Sequence, residues 1–151
     1  MKQIFRVVIV ALFAGQALAE DTIEATDHVV FSRATETDLT QFVWKKRPIV
    51  VFADSDADPR YIEQIELLMA KLHDLEERDV VVLTDTDPYA KSELRLKLRP
   101  RGFMLALIGK DGGVKLRKPF PWDVREITRN IDKMPMRKRE LREKTREANE
   151  G

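Results

Sequence analysis

The chain has 151 residues and contains no cysteine. This absence excludes thiol catalysis, disulfide exchange and metal sites with cysteine ligands, because each of these needs a thiolate. It also removes disulfide bonds as a source of stability, so the hydrophobic core must hold the fold together by itself. The length corresponds to one domain.

Histidine is scarce, and the common nucleophilic and phosphate-binding motifs are missing. His28 and His73 are the two histidines, and His73 falls in a helical pattern where a solvated or capping role is expected. No Ser-His-Asp order and no glycine-rich nucleophile elbow is found. The run Gly109–Gly113 lacks the spacing of a phosphate loop, and it belongs to a predicted hairpin rather than to a helix start.

The N-terminal segment has the order of a signal peptide. Lys2 and Arg6 precede the apolar run Val7–Phe13, and small residues then end in Ala17-Leu18-Ala19. The apolar run is too short to span a membrane, and no later segment is longer. We therefore predict a signal peptide over residues 1–19 and an exported chain, periplasmic or secreted; a retained N-terminal anchor is the alternative.

Charge and composition support no nucleic-acid partner. Removal of residues 1–19 deletes two basic and no acidic residues, so the formal charge changes from 27 − 26 = +1 to 25 − 26 = −1. A near-neutral exported chain gives no electrostatic reason to bind nucleic acid. An exported domain without disulfides suits a bacterial periplasm better than a harsher exterior.

Residues 20–38 form a polar leader, which we interpret as loosely ordered or as an added edge of the sheet. After it, apolar patterns predict alternating strands and helices. Segments with strand patterns are 49–52, 80–83, 103–108 and 114–117. Segments with helical patterns are 59–75, 88–98 and 124–134, the first two opened by Asp-Pro caps. The alternation of Leu94, Leu96 and Leu98 would suit a strand equally well, and we expect the last helix to break near Pro135.

The resulting order, β-α-β-α-β-β-α, predicts a thioredoxin-like fold of the α/β class. Two parallel central strands joined by a right-handed crossover, followed by a hairpin, form a mixed four-stranded sheet with helices on both faces. We assign this three-layer sandwich to residues 39–136. The tail over residues 137–151 carries a favourable Glu140–Lys144 pair, and we expect a solvated helical extension, with a docking arm for an acidic partner as the alternative.

An aspartate-rich stretch, FADSDADPRY, follows the first predicted central strand. Asp54, Asp56 and Asp58 match the first three ligand positions of an EF-hand loop. That loop requires a glycine where this chain has Pro59, and a bidentate glutamate where it has Ile65. A calcium loop is therefore excluded, and we predict no metal and no cofactor.

The same stretch coincides with the place of the redox pair in thioredoxins. Alignment of the strand ends puts Ala57-Asp58-Pro59-Arg60 where those proteins carry Cys-Gly-Pro-Cys. Ala57 and Arg60 take the two cysteine positions, and Met104 or a neighbour replaces the expected cis-proline. We interpret this tetrapeptide as a vestigial redox site without exchange chemistry, and we predict no catalytic residue.

Charged residues near this position suggest a docking surface. In this topology the strand ends that carry them share one edge of the sheet. The predicted surface consists of Asp54, Asp56, Arg60, Arg101 and Lys118. We expect an ion-pair cluster that binds an unknown protein or envelope component without catalysis; scattered surface charges are the alternative. The competing function is a hydrolase-like, non-thiol enzyme that uses Asp54 and Asp56 as paired carboxylates.

Three motifs give the chain a family resemblance. They are WKKR (Trp44–Arg47), LIGKDGGVK (Leu107–Lys115) and IDKMPMR (Ile131–Arg137). From about Trp44 to Leu141 the chain resembles the thioredoxin-like domain of unknown function numbered 4174, which occurs in small exported bacterial proteins and in sushi-repeat matrix proteins of animals. The resemblance implies a thioredoxin-like fold, an extracytoplasmic location and a peroxiredoxin-like ancestry, and it implies no established activity.

Overall fold

A computed structural model describes residues 31–34 and 37–151. The predicted signal peptide lies outside the described residues, as does most of the polar leader. Among the helices of the described part, none is long and apolar enough to cross a membrane.

In residues 31–34 and 37–151 the fold has five strands and five α-helices. The strands are β1 (Phe31–Arg33), β2 (Arg47–Phe52), β3 (Val80–Asp85), β4 (Met104–Ile108) and β5 (Val114–Lys118). The helices are α1 (Pro59–Met69), α2 (Leu72–Glu76), α3 (Glu93–Leu98), α4 (Val124–Asp132) and α5 (Pro135–Glu150). Short 3-10 helices cover Leu39–Phe42 and Pro88–Ala90.

The strands form one mixed sheet in the order β1-β3-β2-β4-β5. Strands β1 and β2 run parallel to β3, whereas β4 runs antiparallel to both β2 and β5. The predicted count of four strands is wrong by one. The additional strand, β1, is a three-residue segment of the leader that pairs with Val82–Thr84 of β3, so that part of the leader is an added edge.

The sheet separates two hydrophobic clusters, because successive side chains of a strand point to opposite faces. Ile49 and Val51 of β2 join one cluster with Leu68 of α1 and Ile127 of α4. Val50 and Phe52 join the other cluster, which includes Leu94 and Leu98 of α3. Helices therefore cover both faces of the sheet, which confirms the predicted three-layer arrangement.

The helices differ from prediction where the backbone turns. The predicted helix through Leu75 is divided into α1 and α2, with Lys71 at a non-helical φ of −133° between them. Helix α3 begins at Glu93 rather than at Pro88, because Lys91 adopts a left-handed φ of 46° and Ser92 caps the new start. The predicted break near Pro135 is confirmed: α4 ends at Asp132 and α5 begins at Pro135.

Candidate functional site

The tetrapeptide that we predict to be a vestigial redox site, Ala57–Arg60, contains the N-cap and the first two residues of α1. The Asp58 side chain accepts a hydrogen bond from the Arg60 backbone N–H at 2.9 Å, and Pro59 is the first helical residue. The Arg60 guanidinium folds back onto Asp58, with Nη2 3.1 Å from Oδ2, and lies 5.8 Å from the centre of the Phe103 ring. Side-chain and backbone hydrogen bonds from Arg60 lower the pKa of Asp58. Arg60, which the sequence alignment predicts at the position of the second cysteine, is therefore paired with Asp58 of the same helix start.

The remaining residues of the predicted docking surface have different surroundings. Asp54, Asp56 and Arg101 are exposed, and the Lys118 ammonium lies 4.7 Å from the centre of the Trp122 ring. Within residues 31–34 and 37–151, no ion pair links any two of the five predicted surface residues. The expected ion-pair cluster is therefore not formed, because Arg60 is held by Asp58 and Lys118 by an aromatic ring. Binding at this edge stays a prediction.

A groove of about 460 Å³ lies at the carboxyl ends of β1 and β3. Its lining residues are Arg33, Asp56, Tyr61, Thr84, Asp85, Thr86, Asp87 and Ala90. We call it the carboxyl-end groove. In open α/β sheets, ligands bind in the crevice outside the carboxyl ends of the parallel strands. Of the predicted surface residues, Asp56 belongs to this lining and Asp54 does not.

Arg95, whose side chain is 10% exposed, pairs with Asp85, one of the residues that line the carboxyl-end groove. Arg95 Nη2 donates to Oδ1 of Asp85 at 2.9 Å and to the main-chain oxygens of Asp85 and Ala53 at 3.0 Å. The Asp85 side chain is fully buried and also accepts a hydrogen bond from the Ser92 hydroxyl. The guanidinium lies 5.4 Å from the centre of the Phe52 ring. These contacts fix the ends of β2 and β3 relative to each other, because one planar group bonds both strands.

A second ionic cluster lies at the opposite end of the sheet. The guanidinium of Arg47, which is 1% exposed, donates to Glu140 Oε1 at 2.9 Å and to the Arg78 carbonyl at 2.9 Å. Lys110 Nζ lies 2.8 Å from Glu140 Oε1 and 2.7 Å from Asp79 Oδ2. Burial of Glu140 opposes its ionisation, yet the hydrogen bonds from Arg47 and Lys110 outweigh that effect and lower the pKa of Glu140 to about 2. Glu140 is therefore a charged anchor for α5.

Neither buried cluster follows from local sequence signals. Asp85 could be noticed as a carboxylate at the end of a buried strand, but Arg95 occupies an ordinary polar helical position. Glu140 was expected to pair with Lys144 in a solvated tail, whereas it bonds Arg47 and Lys110. The first turn of α5 is docked, with Arg137 buried, and residues 141–150 are exposed. Among the described residues, no three His, Asp or Glu side chains are placed to hold a metal ion.

Comparison with solved structures defines the class of fold. Thioredoxin peroxidase I of Plasmodium yoelii is 20% identical over 64% of this chain and 76% of its own, with a TM-score of 0.50. The reduced 2-Cys peroxiredoxin of Plasmodium vivax is 20% identical over 64% of this chain and 81% of its own, with a TM-score of 0.54. The chain therefore has the predicted thioredoxin-like fold, here without any cysteine.

The family follows from a second comparison. The model of a domain of unknown function, DUF4174, matches residues 38–140. The chain belongs to this family, as the three motifs predicted.

Proposed function

We propose that the chain is a non-catalytic binding module, exported to the periplasm or the exterior, that holds a protein partner in the carboxyl-end groove. The position of this groove carries the proposal: it opens where α/β sheets bind their ligands. Ala57 and Arg60, which the sequence alignment puts at the cysteine positions of thioredoxins, provide no thiol chemistry next to it.

The lining favours a partner segment with a basic side chain. Asp56 and Asp87 present exposed carboxylates, whereas Arg33 is the one exposed cation of the lining. The charge of Asp85 is balanced by Arg95, whose Nη2 lies 2.9 Å from Asp85 Oδ1. Two carboxylates against one guanidinium therefore give this rim a net negative charge, which attracts cationic groups and rejects anionic ones. The hydroxyls of the lining, from Tyr61, Thr84 and Thr86, add hydrogen-bonding capacity for a peptide main chain.

The proposed location depends on the N-terminal pattern. Residues 1–19 have the charged, apolar and small-residue sections of a signal peptide in order. A mature chain of charge −1 without thiols is suited to an oxidising compartment, since it offers nothing there to be oxidised to a disulfide.

No observation favours the hydrolytic alternative. Paired-carboxylate catalysis needs one carboxyl group whose pKa is raised so that it can act as an acid. Wherever a carboxyl group of the described residues has a displaced pKa, the displacement is downward, as for Asp58, Asp132 and Glu140. Asp54 also lies outside the groove that Asp56 lines.

A matched pair of variants tests the groove. A photoreactive amino acid at position 56 is used to capture the partner from the native envelope, and the purified partner is then titrated against the exported chain. We expect Asp56→Asn to weaken binding about threefold to fivefold, the effect of one exposed charge pair. Asp54→Asn makes the same charge change two residues away, outside the groove, and is expected to leave binding unchanged. Equal effects of the two variants would contradict the proposal.

A further inference from the structure

The motif WKKR contains one residue that the fold explains and three that it does not. Arg47 is buried and pairs with Glu140. Trp44 and Lys45 are exposed and Lys46 is half-buried, and none of the three lines the carboxyl-end groove. We call Trp44–Lys46 the tryptophan turn. It directly precedes β2 and therefore lies at the amino end of that strand, at the opposite end of the sheet from the groove.

The backbone of the tryptophan turn is held on both sides. The Trp44 N–H donates to the Lys110 carbonyl at 2.7 Å, and the N–H groups of Lys45 and Lys46 donate to the Phe42 carbonyl at 2.9 Å. In this turn Trp44 has a left-handed φ of 66°, a conformation that is unfavourable for a bulky residue. Strain of this kind collects at functional sites.

The Trp44 side chain gives the folded chain little in return for that strain. It is 66% exposed, and within residues 31–34 and 37–151 its indole N–H has no hydrogen-bond acceptor. A single exposed apolar side chain is ordinary, but glycine would adopt this backbone without strain. A large ring at this position therefore points to contact with something outside the chain.

The tryptophan turn also carries positive charge that is not neutralised. Neither Lys45 nor Lys46 forms an ion pair with a described residue. Asp79 and Asp111, which belong to neighbouring turns, are each paired with another lysine. Two ammonium groups beside the exposed ring therefore attract an anionic partner.

The shape of the tryptophan turn favours a broad partner over a small ligand. Two cavities are lined by its neighbours: one of about 420 Å³ includes Phe42 and Lys46, and one of about 310 Å³ includes Arg47. Neither cavity has Trp44 or Lys45 in its lining. These two residues therefore protrude, whereas small molecules bind in concave sites.

We propose that the tryptophan turn attaches the chain to an anionic lipid surface, with the Trp44 ring at the boundary of head groups and acyl chains and with Lys45 and Lys46 at the lipid phosphates. Tryptophan suits this boundary because its ring is apolar and its N–H is polar. Lysines next to an anionic membrane each strengthen the attachment. One ring and two ammonium groups give a weak, reversible attachment. An acidic protein segment would attract the lysines but would offer no apolar layer to the ring.

Vesicles of two compositions test the role of charge. The purified chain is sedimented with vesicles of phosphatidylglycerol and phosphatidylethanolamine, and with vesicles of phosphatidylcholine alone. We expect binding to the anionic vesicles that weakens as salt is added, and much weaker binding to the neutral ones. Absence of binding to anionic vesicles would overturn the proposal, and equal binding to both would overturn the role of the lysines.

Fluorescence tests the position of the ring. Trp44 and Trp122 are the two tryptophans of the chain, so Trp122→Phe leaves Trp44 as the reporter. We expect its emission to shift to the blue on anionic vesicles and to be quenched by lipids brominated on their acyl chains. A bound chain without this quenching would overturn the placement of the ring. An equal blue shift with poly-glutamate would overturn the lipid surface in favour of an acidic protein segment.

Two matched pairs of variants test the location. Trp44→Ala should lower the vesicle partition coefficient about tenfold, whereas Tyr89→Ala, which removes a 94% exposed ring beyond the carboxyl end of β3, should leave it unchanged. Lys45→Gln should lower it about fivefold, whereas Lys91→Gln removes the same charge from another exposed position and should have no effect. Urea unfolding confirms that each variant is folded. Equal losses within either pair would overturn the assignment to the tryptophan turn.

Discussion

Replacement of Glu140 by glutamine should weaken the attachment between α5 and the sheet. The Glu140 side chain is 18% exposed, and its Oε1 lies 2.9 Å from Arg47 Nη2 and 2.8 Å from Lys110 Nζ. Glutamine keeps the size of the side chain but loses its charge, so Arg47 stays buried with a neutral partner. Loss of one member of a buried ion pair is costly because the other charge remains desolvated.

The pKa of Glu140 sets the size of this effect. It falls from 4.5 to about 2 in the folded chain, and a displacement of that size corresponds to at most about 3 kcal/mol. Solvent screening at a site open on one side reduces the expected contribution to about 2 kcal/mol. Because the folded pKa is the lower one, this stability is fully present above pH 4.5 and is lost as the pH falls towards 2.

Urea unfolding followed by circular dichroism measures both consequences. At pH 7 we expect Glu140→Gln to lower the free energy of unfolding by about 2 kcal/mol. Between pH 5 and pH 2.5 the variant should lose less stability than the parent chain, since it lacks the group that becomes protonated. Glu143→Gln, an exposed position on the same helix, is the control and should follow the parent at every pH. If the free energy of unfolding of Glu140→Gln and of the parent chain changed in parallel with pH, the pairing of Glu140 would not be the source of the pH dependence.

Two further predictions concern other parts of the molecule. Arg95→Met should lower the free energy of unfolding by about 3–5 kcal/mol in the same urea assay, because Asp85 would remain fully buried without its cation; a loss below about 1 kcal/mol would contradict the role of Arg95 in joining β2 and β3. Trp44→Gly should leave stability unchanged or raise it by about 0.5–1 kcal/mol in calorimetric unfolding, because glycine relieves the left-handed backbone and the exposed ring contributes little burial. A clear loss of stability in Trp44→Gly would show that the ring packs in the folded chain.

The central part of the fold was predictable because its signals are local. Residues Ile49–Phe52 of β2 form an uninterrupted apolar run, and all of them are buried. The cap at Asp58 was predictable for the same reason, since Asp-Pro is a strong helix start at short range. Strand β1 has no such run: it is three residues long and exists because β3 offers a free edge. Its formation is decided by tertiary pairing rather than by its own sequence.

The ionic clusters could not be predicted from residues that are close together in the sequence. Glu140 and Lys144 have the spacing of a favourable helical pair, but an exposed pair of this kind contributes only about 0.2–0.5 kcal/mol. Arg47 lies 93 residues away in sequence and is buried. A buried guanidinium without a carboxylate would cost several kcal/mol, so Glu140 pairs with Arg47 rather than with Lys144. No pattern within α5 reveals this, because the requirement belongs to β2.

An arginine connects neighbouring segments at each end of the sheet, and the two arginines differ in the groups that they bond. Arg95 joins the main-chain oxygens of Ala53 and Asp85, and Arg47 bonds the Arg78 carbonyl while pairing with Glu140. A lysine at either position would have a single nitrogen and could not reproduce this geometry. At the carboxyl end the Nε of Arg95 also donates to Asp85, at 3.3 Å. At the amino end the Nε of Arg47 has no acceptor in the described part of the chain. Arg95 therefore ties the ends of β2 and β3 to each other, whereas Arg47 ties the start of β2 to α5.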